Sequence, residues 1–248
     1  MQIITAAIIK GGTGKTSSCA ALAQAAANAG KRVLAIDLDP SANFSLAIGA
    51  DQTQSGVFEV LEMGVPAADV VQQTPQGIYA ITASPRLATV KTTPASAKRL
   101  KTALEPLKDK FDVCIIDTPP TLDEMVFTAL QTATGLLVPL EADTNSLQGL
   151  YQIADIAEQM RRSNPELKVL GSVLTRFDGR PNINRYLRDV IAEKGEEIGV
   201  PLLAAIPVCV ALKEAVALQK SIYEYAPRCS AATSYKKLFK TITETMEG

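Results

Sequence analysis

Histidine is absent from this chain of 248 residues, which removes imidazole from both acid–base chemistry and metal ligation. Proton transfer and cation contacts are left to carboxylates, lysines and hydroxyls. There are only four cysteines, Cys19, Cys114, Cys209 and Cys229. None forms a C-x-x-C pair, so no zinc or redox motif is built, and the thiols are expected to be buried and reduced. An excess of charge of either sign is missing as well: 25 Lys and Arg face 26 Asp and Glu, a formal net charge of −1. Any contact with nucleic acid therefore needs a local basic patch rather than bulk charge. No apolar run reaches eighteen residues, and Met1-Gln2-Ile3 already opens an apolar segment. A membrane-spanning helix and a signal peptide are not expected, and the location implied is cytoplasmic. Neither an internal repeat nor a low-complexity tract is visible.

What is present is apolar residues at 47% and charged residues at 21%, enough to bury a large core, in a length at the upper end for one domain; residues 1–248 read as one. Met1 to Ile9 is rich in Ile and Ala and reads as a buried parallel strand, and Ser17 to Gly30 reads as an Ala-rich helix. Between them lies Lys10-Gly11-Gly12-Thr13-Gly14-Lys15-Thr16-Ser17. Strand, glycine loop, Gly-Lys-Thr and helix is the context in which backbone N–H groups and a helix N-terminus converge on phosphate oxygens, with the glycines permitting close approach. The spacing departs from G-x-x-x-x-G-K-[ST], because Ile9 stands where the first glycine belongs. Instead a lysine, Lys10, lies five residues before Lys15.

This K-G-G-x-G-K-[ST] pattern resembles the deviant Walker A loop of the ParA/MinD group of P-loop ATPases. The resemblance implies that ATP or ADP with Mg²⁺ binds along residues Lys10, Gly11, Gly12, Thr13, Gly14, Lys15, Thr16 and Ser17. In that reading Lys15 holds the β- and γ-phosphates and Thr16 ligates Mg²⁺. Lys10 reaches across a nucleotide-dependent homodimer interface to the partner's nucleotide.

Two further segments follow in family order. Arg32 to Leu38 reads as a strand ending in Asp37-Leu38-Asp39-Pro40-Ser41-Ala42-Asn43, similar to the family's D-x-D-P-Q-x-N with Ser41 in place of glutamine. Carboxylates at i and i+2 at a strand end share one side of the sheet edge where open α/β sheets bind ligands. The resemblance makes Asp39 the residue that orients the attacking water. Asp37 either lies near the Mg²⁺ shell or caps the following helix. Next, Asp112 to Asp117, after Phe111, reads as a Walker B strand whose Asp117 can hold Mg²⁺ directly or through water. The Thr118-Pro119-Pro120 after it resembles a switch II loop of the kind that orders on γ-phosphate.

The remainder alternates strand and helix, the pattern of a mostly parallel twisted sheet with helices on both faces. Further strands are expected at Gly77 to Thr82, Gly135 to Leu140, Lys168 to Leu174 and Pro201 to Ile206, for about seven or eight in all. Helices are expected near Thr144 to Ser163, Pro181 to Ile198 and Ala231 to Met246. Ala50 to Thr93, with its Gln, Thr and Pro, is the least regular stretch.

The C-terminal third, from Ala205-Ile206-Pro207 through Leu212-Lys213-Glu214-Ala215 to Ile222-Tyr223-Glu224-Tyr225-Ala226-Pro227, resembles the ending of ParA partition ATPases. That ending implies Arg176 and Pro207 beside the nucleotide base. It also implies nonspecific DNA in the ATP state and a centromere-binding adaptor of the ParB type as partners, placing the ATP form on the nucleoid. Relatives carry arginines near the Pro207 loop, whereas this chain has Val208 and Ala211. Candidate DNA contacts are therefore Arg185 and Arg188, neighbours at i and i+3 on one helix face, and Lys213 and Lys220, neither expected in the nucleotide cradle; solvated surface charge is the plainer account of all four. The alternative class is a MinD-like ATPase cycling on membrane. It needs a basic amphipathic tail, and Tyr235 to Ile242 is better explained as the last helix of the fold, which leaves membrane the less favoured partner. A metabolic enzyme or iron protein of the same superfamily is opposed by Cys114, which sits inside the Walker B strand rather than in a cluster-binding loop.

Overall fold

Val33–Asp37 and Val113–Asp117 are buried at all five positions, so each strand needs cover on both faces, and a parallel sheet sandwiched by helices supplies it. The computed structural model describes residues 1–91, 98–121 and 124–247. Its eight strands are β1 (Gln2–Ala6), β2 (Val33–Asp37), β3 (Gln72–Gln73), β4 (Tyr79–Ile81), β5 (Val113–Asp117), β6 (Gly135–Leu140), β7 (Lys168–Phe177) and β8 (Leu202–Pro207). They form one sheet in the order β3-β4-β2-β5-β1-β6-β7-β8. All pairings are parallel except that of β3 with β4.

The α-helices among the described residues are α1 (Lys15–Asn28), α2 (Asn43–Ala47), α3 (Val57–Met63), α4 (Ala67–Val70), α5 (Arg99–Leu104), α6 (Glu124–Thr132), α7 (Ser146–Arg161), α8 (Asn182–Glu197), α9 (Val210–Ala217), α10 (Ile222–Tyr225) and α11 (Ser230–Glu247). The two-residue side-chain period of a strand divides the core between the two faces. Leu34, Ile36, Cys114 and Ile116 pack with α3, α5, α6 and α7 on one face. Val33, Ala35, Val113 and Ile115 pack with α1 and α11 on the other.

Several expected boundaries move. The first strand stops at Ala6 rather than Ile9, because Ile8 and Ile9 already lead into the glycine loop. β7 runs to Phe177 instead of Leu174, and register shifts against β8 let its last residues follow the twist. The short polar strand Gln72–Gln73 carries no apolar alternation and escapes a pattern search, as do α6 and α9. The irregular stretch from Ala50 resolves into α3, α4, β3, β4 and a 3₁₀ turn at Pro85–Thr89; its last two residues, Thr92 and Thr93, lie outside the described residues. Cys19 and Cys114 are buried as expected, whereas Cys209 and Cys229 are only half-buried.

Because β1, β2, β5, β6, β7 and β8 run the same way, their C-terminal ends share one edge. The residues that follow them, some more than 130 positions apart in sequence, therefore face a common cleft.

Candidate nucleotide site

The cleft measures about 560 Å³ and is lined by Gly11 to Ser17, Asp39, Ser41, Asn43, Pro120, Thr175, Arg176, the Ile206–Val210 loop, Leu212, Lys213 and Tyr235. Its floor is the glycine loop. Gly12 and Gly14 have φ of 77° and 78°, a left-handed conformation that costs other L-residues roughly 1–2 kcal/mol. At Gly14 space is also short. A Cβ there would lie 3.1 Å from Thr175 Oγ1 and 3.2 Å from its Cβ. Thr175 braces the loop by donating to the Thr13 carbonyl at 2.7 Å and the Leu140 carbonyl at 3.1 Å.

Lys15 opens α1 and is 6% exposed. Its ammonium donates to the Lys10 carbonyl at 3.1 Å. Burial pushes its pKa below the ordinary lysine value, with Asp117 and Asp39 among the charges that pull the other way. A positive charge held this dry, at the N-terminus of a helix, favours a polyanion. The Thr13 hydroxyl is also buried, on a residue 1% exposed, and has no hydrogen-bond partner. Both observations fit a phosphate chain.

Asp37 and Asp117 end adjacent strands and are paired in register. Asp117 is wholly buried and accepts from the Thr16 hydroxyl at 2.7 Å. Burial raises its pKa and the nearby Asp37 raises it further, against the Thr16 hydrogen bond. Asp37 is likewise raised by burial, against hydrogen bonds from the Ser45 N–H and hydroxyl and the Asp39 N–H. Those three donors, at 2.8, 2.8 and 3.1 Å, occupy both carboxylate oxygens. Asp37 thus fastens the Asp39–Ser45 loop to the strand, the capping role weighed for it above. Among the described residues no group of three or more His, Cys, Asp or Glu could hold a metal unaided. A divalent cation beside Thr16 and Asp117 would need ligand oxygens from elsewhere, the usual arrangement for Mg²⁺ on nucleotide phosphates.

Asp39 is half-buried, lines the cleft opposite the glycine loop, and is turned by the Ser41 N–H, which donates to it at 2.9 Å. Pro120, at the end of the expected switch loop, lies 3.8 Å from where a Gly11 Cβ would stand. Lys10 forms an ion pair with Asp143, in the loop between β6 and α7. Arg176, in the left-handed region at φ 49°, donates to the Gly12 carbonyl and pairs with Glu141.

The glycine loop, Asp37, Asp39, Asp117, Arg176 and Pro207 are therefore brought together. The candidate DNA residues are not. Arg185 donates to the carbonyls of Gly179 and Arg180 and to Asn182, and Arg188 pairs with Asp189 at 2.7 Å. Lys220 faces Glu224 at 3.6 Å. Lys213 departs from expectation: it sits on the unforeseen helix α9 and lines the nucleotide cleft. Sequence reasoning also missed Ser45, Glu141, Asp143, Thr175 and Tyr235. Only the parallel order of the sheet could have pointed to them, since no spacing links them to the glycine loop.

Comparison with known proteins places this geometry. A family model described as an AAA domain matches residues 1–169. The chromosome-partitioning ATPase Soj of Thermus thermophilus is 33% identical over 94% of this chain and 92% of its own length. The chromosome partitioning protein ParA of Caulobacter vibrioides is 32% identical over 98% and 94%. A solved structure of cobyrinic acid a,c-diamide synthase from Mycobacterium smegmatis, with bound ADP and magnesium, superposes with a TM-score of 0.85 at 27% identity, covering 100% of this chain and 96% of that one.

Proposed function

This chain belongs to the ParA/Soj family of partitioning ATPases, and we propose that it is an ATP-driven switch that pairs with a second copy, holds DNA in the ATP state and lets go after hydrolysis. The observation that carries the reading is the convergence of two lysines on one glycine loop, Lys15 buried at its end and Lys10 at its entrance, opposite Asp39. ATP is the substrate, with the phosphates along Gly11 to Ser17 and the base toward Arg176 and Pro207. Thr16 and Asp117, with Asp37 behind them, would hold Mg²⁺, which would supply charge neutralisation on the phosphates.

Lys15 offsets the charge that develops on the transferred phosphoryl group, and the partner's Lys10 adds a second positive charge from across the interface. Asp39 accepts a hydrogen bond from the attacking water and orients it. No side chain in the cleft has imidazole chemistry, so catalysis rests on positioning and fixed charge, and turnover is slow until a partner completes the site. The partner that does so is an adaptor protein bound at a centromere-like DNA site. DNA is held through its phosphates, without base readout.

The decisive experiment uses the Asp39→Ala variant, which leaves the phosphate cradle intact and removes the water-orienting carboxylate. With ATP and Mg²⁺ it should bind nucleotide as wild type does, hydrolyse it roughly 10²–10⁴-fold more slowly, accumulate as a dimer, and retard DNA of unrelated sequences equally. An ATP form that ignores DNA at low salt and binds anionic liposomes would move the chain to the membrane-cycling class. Normal hydrolysis in the variant would remove Asp39 from its role.

A further inference from the structure

The loop between β6 and α7 grips the glycine loop at two places. Glu141 holds Arg176, whose guanidinium rests on the Gly12 carbonyl, and Asp143 holds the ammonium of Lys10. The two oxygens of Asp143 do different work. Oδ1 accepts from the Asn145 N–H at 2.9 Å and lies 3.2 Å from the Ser146 hydroxyl, tying the residues that lead into α7. Oδ2 accepts from Lys10. Burial acts to raise the Asp143 carboxyl, and the hydrogen bonds from Lys10, Asn145 and Ser146 overcome it, leaving the pKa lowered. Both side chains remain about one-third exposed, at 28% and 34%, so the pair can open without burying or stranding a charge.

Within a single chain, then, Lys10 is committed to its own Asp143. We propose that Asp143 is a positioning residue that parks Lys10 in the monomer, so that two chains can pair around ATP only by opening two Lys10–Asp143 ion pairs. This rests on the reading that Lys10 is handed to the partner's nucleotide. The parked state sets a threshold: ATP must supply enough negative charge to outcompete Asp143 for the ammonium, which ADP, lacking the γ-phosphate, does less well. A partly exposed ion pair opens at a cost equivalent to about a threefold change in equilibrium. Since a symmetric dimer opens two, the dimer dissociation constant carries about a tenfold penalty.

Asp143→Asn separates the two roles, because its amide oxygen can still accept from Asn145 and Ser146 while the charge facing Lys10 is gone. In full-length protein with a non-hydrolysable ATP analogue and Mg²⁺, sedimentation should show the dimer of this variant about tenfold tighter than wild type, with nucleotide affinity of the dilute monomer unchanged. Asp143→Glu should return most of the threshold. In nucleotide-free protein, acylation of Lys10 by an amine-reactive ester, read by mass spectrometry, should be faster in Asp143→Asn than in wild type. Asp143→Ser, which keeps a short side-chain oxygen for the Asn145 N–H, should behave like Asp143→Asn and guards against a folding defect in either one. Equal dimer constants in wild type and both variants, or equal Lys10 acylation, would overturn the parking role and leave the dimer reading intact. A wild-type chain that stays monomeric with the ATP analogue at every concentration would instead overturn the dimer reading, and the parking role with it.

Discussion

The two ends of the cleft are built on different terms. At the phosphate end Lys15, Asp37 and Asp117 are 6%, 2% and 0% exposed, and every charge there has a named partner. At the outer end Val208 and Val210 are 57% and 67% exposed, Lys213 lies at the surface, and Arg176 is held through backbone carbonyl and carboxylate contacts. A dry environment magnifies each charge and penalises each unpaired one, so residue identity is fixed atom by atom. In the wet end water can stand in for a missing group, and shape and backbone can hold a base without a particular side chain. The dry end is therefore where a change of side chain should cost most.

The largest effect expected from this contrast is at Lys15. Lys15→Ala removes the only buried cation on the glycine loop and leaves the phosphates without their nearest fixed charge, a loss of about 2–5 kcal/mol for a charge pair truncated on one side. Calorimetry should find ATP binding weakened roughly 30-fold to several thousand-fold. Pro207→Ala, at the outer end, removes only part of a half-buried ring and should change affinity by about twofold. Comparable losses in the two variants would erase the distinction between the ends.

The same distinction explains what could be read from sequence. Gly14, Lys15, Asp39 and Asp117 stand at spacings the chemistry demands and are drawn to one cleft edge, whereas Lys10 pairs with Asp143 of its own chain. Gly14 is legible because two requirements coincide there, a left-handed backbone and a neighbour, Thr175, that leaves little room for a Cβ. The parallel sheet is legible because buried strands such as Val113–Asp117 are apolar at consecutive positions. Ser45, Thr175 and Asp143 are not legible. They are ordinary polar residues whose importance comes from the strand order, which brings Asp143 to Lys10 across 133 positions. Helix α9 escaped for a related reason: only Ala215 in it is fully buried, so it shows little periodicity. The error over Lys213 followed from that omission.

A smaller effect tests how dry the phosphate end is. Asp37 and Asp117 both have folded pKa values raised above the ordinary carboxylate range, chiefly by burial. In the nucleotide-free protein the native state keeps these protons to higher pH than the unfolded chain does. Stability from this pair is therefore full below the unfolded value of about 4 and falls as pH rises through the raised folded values. The slope is at most about 1.36 kcal/mol per pH unit for each carboxylate. Urea unfolding between pH 5 and pH 8 should show the decline, and Asp117→Asn should flatten it by up to one proton's worth. An unchanged slope in that variant would mean that Asp117 is better solvated than its burial implies.

The smallest expected effect separates the two lysines at the outer end. Lys213 lines the nucleotide cleft and Lys220 lies outside it, facing Glu224 at 3.6 Å, so one reversal of charge should touch both ligands and the other only DNA. Removing one lysine–phosphate pairing should reduce the slope of log affinity against log salt by about one unit, uniformly across DNA sequences. Lys220→Glu should produce that change at unaltered ATP affinity, tempered by the Glu224 it already faces. Lys213→Glu should weaken ATP as well, because it puts a carboxylate at the mouth of a site built for phosphates. Filter binding across a salt series, beside nucleotide titration of the same two proteins, makes the comparison. If Lys213→Glu altered ATP affinity and left the DNA salt slope untouched, Lys213 would belong to the nucleotide end alone, and the DNA surface would have to be sought on α8, with Arg185 and Arg188 released from the partners they hold in the free chain.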